Sequence, residues 1–220
     1  MADQPAHRIL LLDDDEGLLA LCRRTLTRAG HAVVAAGTPA EAEALLSAEA
    51  DGHAKRVSLI VMDYQLGGPV TGLDFFRALA ARGLAPPAVL VTGFSDEGRV
   101  LEALRAGVRD VVRKTEDFLE RLPVAVDRVL REVDAEEKAR EADALRESEL
   151  RLRLALETGQ MGAWEYDFGA GVLRCTDICK AHYELPAAAA PTFDDVLNAV
   201  HRDDRDRVRM TFRRAAAARG

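Results

Sequence analysis

The sequence is poor in the features that define several common protein classes. Its three cysteines, Cys22, Cys175 and Cys179, are too few for a disulfide framework. No apolar run reaches the roughly 18 residues of a membrane span, and the first residues lack the layout of a signal peptide. The net charge of −7 argues against non-specific binding to nucleic acid. These absences predict a reduced, cytoplasmic chain without stable contacts to nucleic acid or membrane.

The first 122 residues do contain a regular alternation of short apolar runs and stretches with helical spacing. The apolar runs cover residues 8–12, 31–36, 57–62, 88–92 and 109–113. Between them, Thr38-Pro39-Ala40-Glu41 has the pattern of a helix start, and another helix is expected to begin near Ser95 and end at Gly107. Strands that alternate with helices predict an α/β fold, a doubly wound five-stranded parallel sheet covered on both faces.

Polar residues follow four of the predicted strands, at the sheet edge where such folds bind ligands. They are Asp13 and Asp14 after the first strand, Asp63 after the third, Thr92 at the end of the fourth and Lys114 after the fifth. Clustered carboxylates can be ionised together when they share Mg²⁺, which takes oxygen ligands. A carboxylate beside that metal can attack a phosphorus centre and become an aspartyl phosphate. A hydroxyl and an ammonium group are suitable partners for the new phosphoryl oxygens.

This pattern, over about residues 6–122, resembles the receiver domain of two-component response regulators, which has a flavodoxin-like fold. The resemblance implies that Asp63 accepts a phosphoryl group from a histidine kinase or a phosphotransfer protein. It further implies that Asp14, Asp63 and the backbone carbonyl of Gln65 bind Mg²⁺, with Asp13 assisting through water.

By the same resemblance, Thr92 senses the phosphoryl group and Lys114 pairs with it. The chain departs from the family pattern at three places. Thr115 stands where the family usually has proline, Val111 replaces a frequent aromatic residue, and the glycine-rich loop 67–72 is one residue longer than usual. Asp15 is better suited to cap the first helix than to bind metal.

A long helix is predicted over residues 123–158, with Pro123 in its first turn and Leu122 outside it. An apolar seam interrupted by one glutamate follows further along, at Ala142, Leu145, Glu149, Leu152 and Leu156. Two heptads make a short seam. It is compatible with an exposed helix between domains, but we favour a signalling helix that forms a homodimer.

Residues 147–218 resemble the opening of a PAS sensory domain, through an amphipathic helix, the strand GAWEYDF (162–168), a GAG turn and a second strand. Only two of the five PAS strands are present, so we expect a partial α+β module cut from a longer protein at Gly220. A short chain whose partner completes the sheet is the alternative. The spacing of Cys175, Cys179 and His182 matches no zinc pattern, so the cysteines are interpreted as core residues.

The predicted order is a receiver (1–122), a signalling helix (123–158) and a partial PAS domain (159–220). That order indicates the N-terminal part of a sensor histidine kinase, although the sequence contains neither a phosphorylatable histidine box nor a glycine-rich ATP lid. The receiver would catalyse its own phosphotransfer. The alternatives are a dimerising scaffold, a response regulator with a different output domain, and a sensor that binds a cofactor in a complete PAS domain.

Overall fold

The computed structural model describes residues 7–50, 56–93 and 97–217, which excludes the helix start expected near Ser95. The chain divides into two compact units, the first ending at Ala139 and the second beginning at Arg140. In the described residues, no helix combines the length and the apolar character that a membrane span requires.

The first unit contains the predicted five-stranded parallel sheet. Its strands are β1 (Arg8–Leu12), β2 (Ala32–Ala36), β3 (Leu59–Asp63), β4 (Ala88–Thr92) and β5 (Asp110–Arg113). All neighbours pair in parallel, in the order β2-β1-β3-β4-β5. Strands β3 and β4 are buried at every position, as expected for central strands covered on both faces.

Four helices connect these strands: α1 (Glu16–Arg28), α2 (Pro39–Ala50), α3 (Gly72–Ala81) and α4 (Glu97–Arg105). The Asp15 carboxylate accepts a hydrogen bond of 3.0 Å from the Leu18 N–H, which confirms it as the cap of α1. At α2 the Thr38 hydroxyl accepts from the Glu41 N–H at 3.2 Å, and Pro39 is the first helical residue. Local capping chemistry therefore sets where these two helices begin.

The sheet has one apolar core on each face, because successive strand residues point to opposite sides. Leu10, Ile60 and Leu90 pack on one side with residues of α2, α3 and α4. Leu11 and Val89 pack on the other side with residues of α1 and of a fifth helix. This two-sided core explains why the strand sequences are continuously apolar.

The fifth helix, α5, covers Phe118–Thr158, so the prediction that it begins at Pro123 is wrong. Pro123 lies inside the helix, and Leu122 is helical and fully buried. Burial of Phe118 and Leu122 in the sheet core favours the earlier start. Burial of large apolar side chains is worth about 1.5–3 kcal/mol each, comparable to the roughly 3 kcal/mol cost of an internal proline.

Polar side-chain contacts fasten α5 to the first unit, among them four that we call the α5 contacts. They are His31–Asp127 (3.0 Å), His7–Asp134 (3.6 Å), Arg128–Asp110 and the two-bond pair Arg109–Glu136 (2.7 and 2.8 Å). Each partner in the sheet lies at the beginning of a strand, whereas Asp63, Thr92 and Lys114 lie at the opposite ends.

The second unit contains an antiparallel hairpin and three helices after the end of α5. They are β6 (Trp164–Asp167), β7 (Val172–Cys175), α6 (Asp177–His182), α7 (Phe193–Ala199) and α8 (Arg205–Ala217). Four rings pack the hairpin against α7 and α8: Tyr166, Phe168, Phe193 and Phe212, with centroids 3.7–6.3 Å apart. The predicted two strands and the turn between them are confirmed.

Candidate functional site

The predicted site residues come together because β1, β3, β4 and β5 are consecutive neighbours in the sheet. Asp63 is the last residue of β3 and Thr92 the last of β4, and both are buried. The Lys114 N–H donates a hydrogen bond of 2.8 Å to the Thr92 carbonyl, which continues the pairing of β4 and β5 by one residue. Sheet register therefore brings Lys114 to the same edge as the acids.

The Lys114 ammonium group lies between two buried carboxylates. Its Nζ is 3.1 Å from Asp63 Oδ1 and 3.2 Å from Asp13 Oδ2. Asp63 and Asp13 are only 7% and 8% exposed. The Asp13 carboxylate also accepts a 2.9 Å hydrogen bond from the Asp15 N–H, which orients it toward the centre of the site.

These contacts change the acid–base properties of the site. Burial raises the pKa of Asp63, and the negative charge of Asp13 adds to that increase, although the Lys114 ammonium opposes it. Burial disfavours the charged form of Lys114, but its hydrogen bond to Asp63 and the charges of Asp63 and Asp13 raise its pKa overall. At Asp63 burial outweighs the effect of Lys114 on the pKa, whereas at Lys114 the neighbouring carboxylates outweigh burial and favour the charged ammonium.

The oxygens of Asp13, Asp14 and Asp63 fit a hard divalent cation. One carboxylate oxygen from each lies within 4.8 Å of the other two. Asp14 is exposed, so the cluster is open to solvent on its side. Because Mg²⁺ prefers carboxylate, carbonyl and water oxygens, these residues are suitable ligands for it. The Gln65 carbonyl, two residues beyond Asp63, remains a predicted ligand.

Two glycines allow the loop after β3 to lie against the acids. Gly67 has a φ of +62°, and a β-carbon there would be 2.6 Å from Asp14 Oδ2. A β-carbon on Gly72 would be 1.9 Å from the Asp63 carbonyl oxygen, and the Gly72 N–H donates to the Tyr64 carbonyl at 2.9 Å. The sequence shows that this loop is rich in glycine, but it does not show these contacts.

Two further residues near the site had no clear signal in the sequence. The Arg99 guanidinium of α4 lies 5.1 Å from the ring centre of Tyr64, which directly follows Asp63. Cys22 of α1 lines the apolar space beneath Asp13 and Asp63, and burial raises the pKa of its thiol to about 11. Cys22 is therefore a core residue and not a reactive thiol.

A comparison with protein families supports the interpretation from geometry. The model of the response regulator receiver domain matches residues 9–126, more than half of the chain. The chain belongs to this family. The matched residues contain all the predicted site residues and the first turns of α5.

Two of the curated proteins that resemble the receiver are considerably longer than this chain. The C4-dicarboxylate transport transcriptional regulatory protein DctD of Rhizobium meliloti is 32% identical over 136 residues, 61% of this chain and 26% of that protein. The transcriptional regulatory protein GlrR of Escherichia coli is 31% identical over 156 residues, 70% of this chain and 33% of that protein. The chain thus spans about a quarter to a third of these relatives.

Solved structures support the receiver fold. A response regulator receiver domain protein from Clostridium thermocellum superposes with a TM-score of 0.52 at 18% identity, covering 59% of this chain and 98% of that one. A CheY-like receiver domain protein from Methanospirillum hungatei gives the same TM-score at 22% identity, covering 60% and 99%. The flavodoxin-like architecture expected from the sequence is confirmed for the first unit.

Proposed function

We propose that the receiver accepts a phosphoryl group on Asp63 from a histidine kinase or a phosphotransfer protein. Asp13, Asp14, Asp63 and the Gln65 carbonyl would hold Mg²⁺. The observation that carries this proposal is the position of Lys114, whose ammonium contacts both Asp13 and Asp63 at about hydrogen-bond distance (3.2 and 3.1 Å). A cation fixed beside a buried carboxylate suits the transfer of a highly charged group.

The reaction follows from the charges at the site. An ionised oxygen of Asp63 attacks the phosphorus of a phosphohistidine, the P–N bond breaks, and the imidazole of the donor leaves. Lys114 then pairs with a phosphoryl oxygen, and the Thr92 hydroxyl donates a hydrogen bond to another. When bound, Mg²⁺ neutralises charge on the transferring group and on the carboxylates.

Incubation of the chain with acetyl phosphate and Mg²⁺ tests the nucleophile. Intact-mass measurement should show the gain of one phosphoryl group, and Asp63→Asn should abolish it. Asp15→Asn is a matched control, because asparagine also caps helices and Asp15 lies outside the carboxylate cluster. Phosphorylation that persists in Asp63→Asn would overturn the assignment of Asp63.

The remainder of the chain is proposed to be the N-terminal part of a PAS domain in a cytoplasmic hybrid sensor histidine kinase. The β6–β7 hairpin and the following helices support this proposal, because their order matches the opening of that fold. The alternative is a response regulator with another output domain, and the names of DctD and GlrR as transcriptional regulatory proteins favour it.

DNA binding by the chain itself tests one form of the alternative, in which the residues after α5 belong to a DNA-binding output domain. Under the kinase proposal, fluorescence anisotropy with a labelled duplex should show no binding at physiological salt, before or after phosphorylation. The net charge of −7 supports this expectation. Binding that disappears at high salt would instead favour a DNA-binding output.

We further propose that residues 123–158 form a homodimer through the apolar seam. Leu145 and Leu152, both on the seam, are each 61% exposed on α5. Light scattering should give the mass of a dimer, and Leu152→Glu should reduce it to that of a monomer. Leu154→Glu is the matched control, since Leu154 is 53% exposed but lies off the seam. A monomer at all concentrations would reject the proposal.

A further inference from the structure

Each residue of α5 that takes part in the α5 contacts also has a possible partner within the helix. The four helix residues are Asp127, Arg128, Asp134 and Glu136. Four positions after each of them, the sequence has a residue of opposite charge, in the order Arg131, Glu132, Lys138 and Arg140. Residues four apart are neighbours on the surface of an α-helix, and opposite charges at this spacing form ion pairs. The α5 contacts therefore compete with pairs inside the helix.

In the structure, the receiver provides the partners of both aspartates. Asp127 contacts His31 at 3.0 Å, and Asp134 contacts His7 at 3.6 Å. In the part of the chain that the structure describes, no ion pair joins either aspartate to the base four residues further on. An acid that precedes a base by four positions is the favoured order for such a pair. The structure therefore shows one of two arrangements that the sequence of α5 allows.

Apolar packing holds α5 on the receiver only as far as Val133. Leu130 is buried in one of the two sheet cores, and Val133 packs against the same core. Among the described residues, neither core includes any member of the segment 134–139, which we call the α5 joint. The α5 contacts that hold this joint are those of Asp134 and Glu136, so side-chain polarity replaces apolar burial at this point of the helix.

The contacts of the α5 joint are open to solvent. The side chains of Asp134 and Glu136 are each 41% exposed where they contact His7 and Arg109. Polar contacts between exposed side chains stabilise a protein by small amounts, and an ion pair between residues four apart on a helix is similarly weak. If Lys138 replaces His7 as the partner of Asp134, the free energy of the chain therefore changes little.

We propose that the α5 joint is a two-state element. In its docked form it lies on the receiver through Asp134 and Glu136, and in its released form the Asp134–Lys138 pair within the helix replaces the contact with His7. The receiver holds α5 as far as Glu136 in the docked form but only as far as Val133 in the released form. The helix stays intact in both forms, because its backbone hydrogen bonds do not involve these side chains. Two forms of similar free energy allow a small differential interaction to shift the equilibrium between them.

Long-range proton–nitrogen NMR of the histidine side chains, in the full chain at one fixed pH, tests the proposal. The His7 signal, identified by its loss in His7→Gln, reports the population-weighted average of the docked and released forms. Glu136→Gln weakens the contact with Arg109 and should raise the ratio of released to docked forms by up to about fivefold. Lys138→Gln removes the partner within the helix and should lower this ratio about twofold. The two variants should therefore displace the His7 signal in opposite directions along one line, with the unmodified chain between them.

Glu141→Gln is the matched control, since it makes the same change of charge as Glu136→Gln but lies on α5 beyond the last of the α5 contacts. It should leave the His7 signal in place. Displacement in the same direction by Glu136→Gln and Lys138→Gln, or no displacement by Lys138→Gln, would overturn the proposal. The chain remains unphosphorylated throughout, so the result is independent of the test of Asp63.

Discussion

The α-carbon of Gly72 lies directly against the backbone carbonyl of Asp63, so closely that a β-carbon would be 1.9 Å from that oxygen. We therefore expect Gly72→Ala to displace either Asp63 or the start of α3. The variant should lose about 1–3 kcal/mol of unfolding free energy, as is usual for overpacking. It should also be phosphorylated more slowly by acetyl phosphate. Urea denaturation and intact mass measure the two effects.

Gly68→Ala is the control for that experiment. Gly68 belongs to the same loop, but the nearest atom to an added β-carbon there is 3.8 Å away. Its unfolding free energy and phosphorylation rate should stay close to those of the unmodified chain. Equal effects at Gly68 and Gly72 would show that loop flexibility matters and the contact with Asp63 does not.

Mg²⁺ should stabilise the receiver, because a cation shared by Asp13, Asp14 and Asp63 relieves their mutual repulsion. At a free concentration of about 100 times Kd, binding should add about 2.7 kcal/mol to the unfolding free energy. Asp14→Asn should reduce this gain and leave the metal-free protein as stable or more stable. Thermal unfolding with Mg²⁺ and with EDTA measures both. If Mg²⁺ raises the unfolding free energy of Asp14→Asn as much as that of the unmodified chain, Asp14 is not a ligand.

Cys22 should make the receiver less stable at alkaline pH. Burial raises the pKa of its thiol from 9.0 to about 11, so the folded state keeps a proton that the unfolded state releases. This contribution is fully present below pH 9.0 and is lost as the pH rises through about 11. Since each pKa unit is worth about 1.36 kcal/mol, the loss should approach about 3 kcal/mol.

Urea denaturation in reducing buffer checks how the unfolding free energy depends on pH. The measurements run from about pH 8 to about pH 11, roughly the range over which a thiol of raised pKa titrates. Cys22→Ala lowers stability at every pH through its cavity, but its slope should be shallower than that of the unmodified chain. If the unfolding free energies of Cys22→Ala and the unmodified chain change with pH at the same slope, the Cys22 thiol is not the cause of the pH dependence.

Pro123 offers a test of why α5 begins at Phe118. As an internal helical residue it lacks the N–H that would bond to the carbonyl of Leu119. Pro123→Ala should therefore stabilise the receiver, by about 1–2 kcal/mol out of the roughly 3 kcal/mol propensity difference. Val124→Ala, at an exposed neighbouring position, isolates the effect of helix propensity. If Pro123→Ala is less stable than the unmodified chain, proline stabilises the receiver instead, because it reduces the conformational entropy of the unfolded state.

The sequence was sufficient for features that depend on local chemistry and on strand periodicity. The five strands, the cap at Asp15 and the convergence of Asp63 and Lys114 on one sheet edge were all predicted correctly. Side-chain contacts and packing between distant parts of the chain, outside the predicted sheet edge, could not be predicted. The His31–Asp127 pair joins residues 96 positions apart, and no local pattern connects them. Likewise, only the packed structure shows that burial of Leu122 overrides the proline that follows it.

The α5 contacts lie at the beginnings of the strands, whereas Asp63 lies at the end of one. A five-residue strand is roughly 17 Å long at about 3.3 Å per residue. Charges in water are screened beyond a Debye length of about 8 Å at physiological salt. For the solvent-exposed pair Arg109–Glu136, a new charge on Asp63 therefore has little direct electrostatic effect. Coupling between Asp63 and these contacts would then depend on small displacements of the side chains packed along the sheet. The stiffness of the two apolar cores would determine how large a displacement reaches α5.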